Sequence, residues 1–372
     1  MAYDPFSSLT ARLCAFISVC SRPTSVPPAE DRFAALAREL FAAQFEAVPA
    51  YRALAAHQGR TPTAVTDWRD IPAVPTAAFK EFEFTSLPPD RRERVFHSSG
   101  TTQHLPSRVY HDAASLALYA TAAQAWFQRH VLPEADENTG AGFRFVLLTP
   151  PVVRAPHSSL ACMGEFVADL FGDGQTRWFG RIGRDGTWEL EAEALVVALR
   201  ESAVAQTPVC LFGTAFSLVH LLDHLAATGS TLRLPPGSRV METGGYKGRS
   251  RALPQSELHA QLARRLGVSG SHIVGEYGMC ELASQAYDRV VGGIAPRLFQ
   301  FPPWARAVVV SPETGREVAE GEAGLLRVYD LANVRSVLAV QTEDLAVRRG
   351  GGFELLGRAS LAEARGCSLL AA

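Results

Sequence analysis

The chain has 372 residues, of which 47% are hydrophobic and 20% charged, and its formal net charge is −2. This is the balance of an ordinary soluble globular enzyme, and it gives no electrostatic reason to expect nucleic acid or an anionic membrane as a partner. The length suits one large domain or two to three subdomains. No apolar run reaches the ~18–20 residues that cross a bilayer; the most apolar stretch, Val209–Leu222, is interrupted by Gly213, Thr214, Ser217 and His220. Met1–Pro5 lacks the basic start of a secretory leader. The six cysteines (14, 20, 162, 210, 280 and 367) have no Cys-x-x-Cys pair or regular spacing. That argues against structural zinc or a disulfide framework and fits a reducing cytoplasm.

The first ~90 residues read as helical. In Glu30–Glu46, Phe33, Leu36, Leu40, Phe41 and Phe45 recur at helical spacing. Asp67–Pro75 breaks the pattern with prolines, which disfavour helix at the preceding residue. Thr76–Phe84 follows as a short helix or turn, and a further helix is expected near Ala113–His130. From Phe143 the pattern becomes α/β. Phe145–Leu148, Val209–Gly213, Val240–Glu242 and the run from His272 to Gly278 read as strands or strand ends; Glu191–Glu201, Ser217–Ala227 and Pro254–Leu266 read as helices. Beyond ~300 the short apolar runs Ala307–Val310, Gly324–Tyr329, Val337–Val340 and Phe353–Leu356, separated by Gly/Glu-rich turns, predict strands alone. The expected architecture is a layered α/β core with a β appendage.

Four segments carry candidate chemistry. Ser98-Ser99-Gly100-Thr101-Thr102, with Ser107 and Arg108 close behind, packs hydroxyls, a glycine and a cation into one loop. Such a loop can wrap a polyphosphate: hydroxyls and backbone N–H groups donate to phosphate oxygens, and the cation offsets charge. The Gly-Lys-Ser/Thr ending of the common NTPase loop is missing. Gly275-Glu276-Tyr277-Gly278-Met279-Cys280-Glu281 combines an aromatic face for stacking with a carboxylate suited to a hard cation. Thr342-Glu343-Asp344-Leu345 and Gly357-Arg358 complete the set.

In this order and spacing the segments resemble the adenylate-forming superfamily, the acyl-CoA synthetases and adenylation domains that activate carboxylates with ATP. The resemblance implies that Ser98, Ser99, Gly100, Thr101, Thr102, Ser107 and Arg108 cradle phosphates. It implies that Tyr277 stacks on adenine, with Gly244, Gly245, Glu276, Gly278, Met279 and Cys280 around the nucleotide. Glu281 would hold Mg²⁺ on the phosphates, Asp344 would accept from the ribose hydroxyls, and Arg358 would contact ribose. Phe212, Gly213 and Thr214 would form one wall of the acyl pocket. Cys280 stands where the superfamily has Thr or Ser, and Glu343 where it has Gly. A thiol is the weaker hydrogen-bond donor, which weakens the expected α-phosphate contact.

The departures narrow the family. After Arg358 only 14 residues remain, so the mobile C-terminal domain of the superfamily, with its catalytic lysine, is expected to be missing. Thr243-Gly244-Gly245-Tyr246-Lys247-Gly248, Ile71-Pro72, Phe79-Lys80, Pro302-Pro303-Trp304, Pro312–Gly315, Gly321–Leu326 and the closing Arg365-Gly366-Cys367-Ser368-Leu369 resemble instead the acyl-protein synthetases, the long-chain fatty acid–protein ligases of bacterial luminescence. The resemblance runs from about residue 30 to the end. It implies the large N-terminal domain of the adenylate-forming fold: 1–300 as helical segment and α/β core, 301–358 as a β-rich subdomain and 359–372 as a tail. It also implies ATP and Mg²⁺ as cofactors, a carboxylic acid substrate, and acyl transfer to Cys367 and on to a partner protein, a reductase or a carrier. Thiols are nucleophilic even at modest thiolate fraction, which suits that role. Lys247 is the candidate to polarise the carboxylate in place of the missing lysine.

Two other readings fit the same residues. One is a stand-alone adenylating ligase that delivers an acyl, aryl or aminoacyl group to CoA, a carrier protein or an amine. The other is a non-catalytic relative that binds nucleotide or acyl-adenylate. Elsewhere, His220 and His224 lie one helical turn apart without a metal-binding pattern around them, and His111-Asp112 reads as a capped helix start rather than an acid–base pair.

Overall fold

The computed structural model describes residues 4–21, 30–98, 105–135, 143–245 and 251–359. Contacts group the chain into two compact units. One comprises residues 1–122, 279–286 and 297–372, and the other residues 123–278 and 287–296.

The second unit is built on a parallel sheet. Its strands lie in the order Ile273–Tyr277, Arg239–Thr243, Val209–Thr214, Arg144–Leu147 and Arg177–Trp178, all pairing in parallel, with the short strand at Ala286–Tyr287 on the edge beside Ile273–Tyr277. Cys210, Leu211 and Phe212, like Val240 and Met241, have no exposure. Such continuous apolar runs are what a strand covered on both faces requires. Helices Ala192–Val204, Ala215–Ala227 and Gln255–Leu266 alternate with the strands. Leu195 and Leu199, Leu218 and Leu222, and Leu258 and Leu262 each repeat at i, i+4 and pack into one apolar cluster with Val146, Leu211, Val240 and Ile273. Gly267 ends the last of these helices in the left-handed conformation, at φ 69°, where glycine carries no Cβ penalty.

The first unit couples helices to an antiparallel sheet. Ala305–Val310, Ala323–Asp330, Ala339–Arg349 and Gly352–Arg358 pair as neighbours in that order, and Val74–Pro75 joins Ala339–Arg349 in parallel. The strand expected at Val337–Val340 begins later and runs eleven residues, Ala339–Arg349. The charges at Glu343, Asp344, Arg348 and Arg349 hide its second half from an apolar-run reading. Helix Glu30–Ala47 is tied to the sheet's connections by one buried side chain. The Gln44 amide donates to the Asn333 carbonyl at 2.8 Å and accepts from Leu338 N–H at 2.8 Å. Trp68 sits edge-on between Phe33 and Tyr329, with centroids 5.2 and 4.8 Å away.

The expected helices near 113 and 254 are observed as Ala113–Val131 and Gln255–Leu266. Helix Ser159–Phe171 has no counterpart in the sequence reading. Ala161, Cys162, Met163, Gly164, Val167, Ala168 and Phe171 are all buried, and Glu165 and Asp169, one turn apart, mark its less buried side. Among the described residues no helix is long and apolar enough to cross a membrane, and the five described cysteines form no disulfide with one another.

Candidate active site

In the second unit, register brings three candidate segments to one edge. Gly213 pairs with Glu242 and Thr214 with Thr243, while Gly275 pairs with Glu242 and Glu276 with Thr243. The strand ends Phe212–Thr214, Thr243–Gly245 and Glu276–Gly278 therefore emerge side by side at the carboxyl edge of the parallel sheet. That is where open α/β sheets take their ligands.

Each strand end has its own local cause. Thr214 caps the helix that follows, its hydroxyl accepting from Ser217 N–H at 3.1 Å. Phe212 has no exposure, and its ring packs over Gly164, where a Cβ would stand 3.2 Å from it. Gly244 has φ +70°, so the chain leaves its strand through a left-handed turn that a side chain would strain. Tyr277 closes its strand at 9% exposure.

Carboxylates lie beneath these ends on both sides of the sheet. Glu242 accepts from Gln255 Nε2 at 3.3 Å and lies 3.1 Å from His259 Nε2. Glu276, on the neighbouring strand, accepts from the Thr243 hydroxyl. Burial pushes the Glu276 carboxyl up to about 7 and Glu242 adds repulsion, while the Thr243 bond acts the other way. Gly275 is needed for contact. A Cβ there would stand 2.7 Å from Gln255 Nε2 and 2.8 Å from Asp288 Oδ2. The Gln255 amide could swing aside, but Asp288 is held by accepting from Gly275 N–H at 2.8 Å. Gly275→Ala is therefore expected to lower stability by about 1–3 kcal/mol, the usual cost of overpacking. A urea midpoint unchanged from wild type would show that Asp288 yields freely.

In the first unit, strands Arg94–His97 and Arg108–His111 form a hairpin around the hydroxyl-rich loop. Ser98 N–H donates to the Ser107 carbonyl at 3.1 Å, and Ser107 N–H donates back to Ser98 Oγ at 2.9 Å. This pair closes the base of the loop. Arg108 is half-buried, 3.8 Å from the Glu83 carboxylate. Ser99, Gly100, Thr101 and Thr102 lie outside the described residues, as do Lys247 and Cys367.

His111 packs on Phe96 and near Tyr119, with centroids 4.9 and 6.1 Å away. Burial lowers its pKa to about 4, so it is uncharged at neutral pH. Asp112 accepts from Ser115 N–H at 2.9 Å, and its own N–H donates to Ser115 Oγ at 3.0 Å. This is the reciprocal pattern of a capped helix start.

Met279–Ala286 belongs to the first unit as well. Gly278 is exposed and Met279 half-buried, while Cys280 and Glu281 are 6% and 4% exposed. The Cys280 thiol donates to Glu281 Oε2 at 3.1 Å, so it orients its neighbour's carboxylate. Asp344 and Arg358 face each other in the antiparallel register, their charged groups 3.6 Å apart. Arg358 is 65% exposed, which makes the pair weak on its own.

Among the described residues no three His, Cys, Asp or Glu side chains come together as a metal cage. Mg²⁺ does not need one, because it usually keeps several waters and binds through one or two carboxylates plus substrate phosphates. Glu281, a buried carboxylate oriented by Cys280, suits that donor set.

With this geometry in place, the likeness to known proteins becomes specific. A family model described as acyl-protein synthetase, LuxE, matches residues 31–372. The long-chain-fatty-acid–luciferin-component ligase of Vibrio harveyi is 22% identical over 323 residues, covering 82% of this chain and 78% of that protein. Among solved structures, an open conformation of 2-hydroxyisobutyryl-CoA ligase in complex with 2-HIB-AMP and CoA matches with a TM-score of 0.65 at 13% identity, over 90% of this chain and 74% of that one. The same ligase in the postadenylation state with 2-HIB-AMP matches with a TM-score of 0.64 at 14% identity, over 91% and 73% of the two chains. At such identities these structures speak for the fold, which is that of adenylate-forming enzymes.

Proposed function

Because the chain belongs to the acyl-protein synthetase family, and so is an adenylate-forming ligase, we propose that it activates a long-chain or related acyl acid and passes the acyl group through Cys367 to a partner protein. In the first step a carboxylate oxygen attacks the α-phosphorus of ATP. The bond to the bridging oxygen breaks, pyrophosphate leaves, and an acyl-adenylate remains. In the second step the Cys367 sulfur, having given up its proton, attacks the acyl carbon. The carbon–oxygen bond to AMP breaks, and a thioester forms that can be handed to a reductase or carrier protein.

The residues supply position and charge rather than covalent help in the first step. Ser98–Thr102, Ser107 and Arg108 hold phosphates, and Lys247 polarises the carboxylate. Tyr277 stacks on adenine, and Gly244, Gly245, Gly278 and Met279 belong to the nucleotide-binding segments. Asp344 and Arg358 hold ribose, and Phe212–Thr214 border the acyl group. Mg²⁺, held by Glu281, would neutralise phosphate charge. A cytoplasmic location belongs to the same reading.

The observation that carries the proposal is the reach of the family match, which includes both the Tyr277–Glu281 segment and the Cys367 tail. The fatty-acid substrate is supported by the name of the Vibrio relative. The test is incubation with Mg-ATP and a panel of radiolabelled fatty, aryl and amino acids, followed by denaturing electrophoresis with and without hydroxylamine. A hydroxylamine-labile label is expected on wild type and not on Cys367→Ser. Pyrophosphate release with no label on the protein would replace the cysteine relay with delivery to a free acceptor. Neither signal across the panel would remove the catalytic reading.

A further inference from the structure

Between strands Ile273–Tyr277 and Ala286–Tyr287 the chain runs through Met279–Gln285 without helix or strand, yet Cys280 to Gln285 are all buried. Buried backbone outside regular structure must find its hydrogen-bond partners elsewhere. One bond is local, from Leu282 N–H to the Met279 carbonyl at 3.1 Å. Others come from two side chains about fifty residues further along the chain.

Asp330, with no exposure, ends strand Ala323–Asp330. Its Oδ2 accepts from Ala283 N–H at 2.9 Å and Ser284 N–H at 2.8 Å. Its Oδ1 accepts from Ser284 Oγ at 2.7 Å and Ala332 N–H at 3.0 Å. Ser284 Oγ in turn accepts from Trp304 Nε1 at 3.0 Å. Asn333, at the turn after this strand, donates from one nitrogen to the Glu281 carbonyl at 2.9 Å and the Val337 carbonyl at 3.1 Å. All of these groups lie within one unit.

We infer that Asp330 and Asn333 are positioning residues that hold the irregular Met279–Gln285 segment so that Glu281 presents its carboxylate to the metal–phosphate group of the nucleotide. The inference rests on the proposed role of Glu281. The geometry goes beyond filling the core. A single carboxylate collects four donors, three of them from the two residues that begin two positions after Glu281, and Asn333 fixes Glu281's own carbonyl. Hydrogen bonds to a charged group are the stronger kind and set direction as well as distance. In Asp330→Asn one oxygen becomes an NH₂ group. On the Oδ2 side that group faces the Ala283 and Ser284 N–H donors; on the Oδ1 side it faces Ala332 N–H, and the Ser284 hydroxyl must turn to accept from it. Either way a neutral amide replaces the carboxylate that the segment's N–H groups bind, so the hold weakens without loss of side-chain volume.

The test measures ATP binding by calorimetry with Mg²⁺ and with EDTA, on the full chain, and reads the ratio of the two affinities as the metal increment. Asp330→Asn is expected to cut the increment at least fivefold while leaving metal-free ATP affinity within twofold of wild type. Half-saturating Mg²⁺ in pyrophosphate exchange should rise by a similar factor, with KM for the acid unchanged. Asn333→Ala, which leaves Asp330's own bonds in place, gives the same readout should Asp330→Asn not fold. Leu13→Ala, in a buried helix position of the same unit, serves as the control. It lowers the melting temperature and leaves the increment alone. An increment that falls in Glu281→Gln but not in Asp330→Asn or Asn333→Ala overturns the positioning role alone. An increment that survives in Glu281→Gln, or is absent from wild type, overturns the magnesium reading of Glu281 and this inference with it.

Discussion

Glu281→Gln is expected to lower ATP–pyrophosphate exchange by roughly 10²-fold, the scale seen when one preorganised charge-stabilising group is removed from an active site. Stability should not fall with it. The substitution keeps the volume of a side chain only 4% exposed, and the amide oxygen can still accept from the Cys280 thiol that now donates at 3.1 Å. The carboxylate thus serves a charge that arrives with the ligand, and its loss shows in turnover rather than in folding. Exchange activity, thermal midpoint and metal-free ATP affinity on one preparation give the pattern: exchange falls and the other two hold. Exchange within threefold of wild type would mean that another group meets the phosphate-bound cation.

The candidate segments can be picked out of the sequence because each is local. A glycine-flanked Tyr277 at the end of the apolar run Ile273–Val274 announces itself by residue type within a few positions, and so does the hydroxyl run from Ser98. The strands that carry the second unit's site are legible for a similar reason: they are continuous apolar runs that stop at Gly/Thr turns. What holds the segments is not local. Asp330 and Ser284 are 46 residues apart, and Glu276 meets Thr243 only because two parallel strands lie in register. Neither pairing leaves a periodic trace. Helix Ser159–Phe171 carries only a short signal, Glu165 and Asp169 one turn apart in an otherwise apolar stretch, and the sequence reading passes over it. The long strand Ala339–Arg349 is masked by the charges that also make Asp344 a candidate ligand, so local propensity and function pull in different directions at that point.

Replacing Glu276 with glutamine is expected to remove a pH dependence of stability that the wild-type chain carries between about pH 4.5 and 7. In the unfolded chain this carboxyl titrates at its ordinary value of 4.5, and in the native protein burial moves it to about 7. Across that window the native state holds a proton that the unfolded state has released, so stability falls as pH rises. The contribution is complete below pH 4.5 and gone above pH 7. The shift corresponds to on the order of 3 kcal/mol at about 1.4 kcal/mol per unit.

Other buried groups bend the curve in the same region. His111 and His130 are both pushed down to about 4 from 6.5 by burial, so between those values the unfolded chain still holds protons that the native histidines have released, and stability rises with pH. Asp4, Glu83, Asp112 and Glu134 are lowered below the ordinary carboxylate values and lose their contributions toward acid pH. All of these are shared by wild type and Glu276→Gln, so the difference between the two chains isolates Glu276. The variant should match wild type at pH 4.5, gain on it steadily up to pH 7, and keep a constant advantage above. Denaturant midpoints at half-unit steps read this directly, and parallel curves would mean that Glu276 ionises as freely as a surface carboxylate. The same titration bears on the proposed nucleotide site. Below pH 7 the polyanion meets a neutral Glu276 beside the Thr243-Gly244-Gly245 turn, and above pH 7 it meets a negative one. ATP affinity should therefore weaken through the interval in which the contribution of Glu276 to stability is lost, and in Glu276→Gln the share of both dependences that this carboxyl supplies should vanish together.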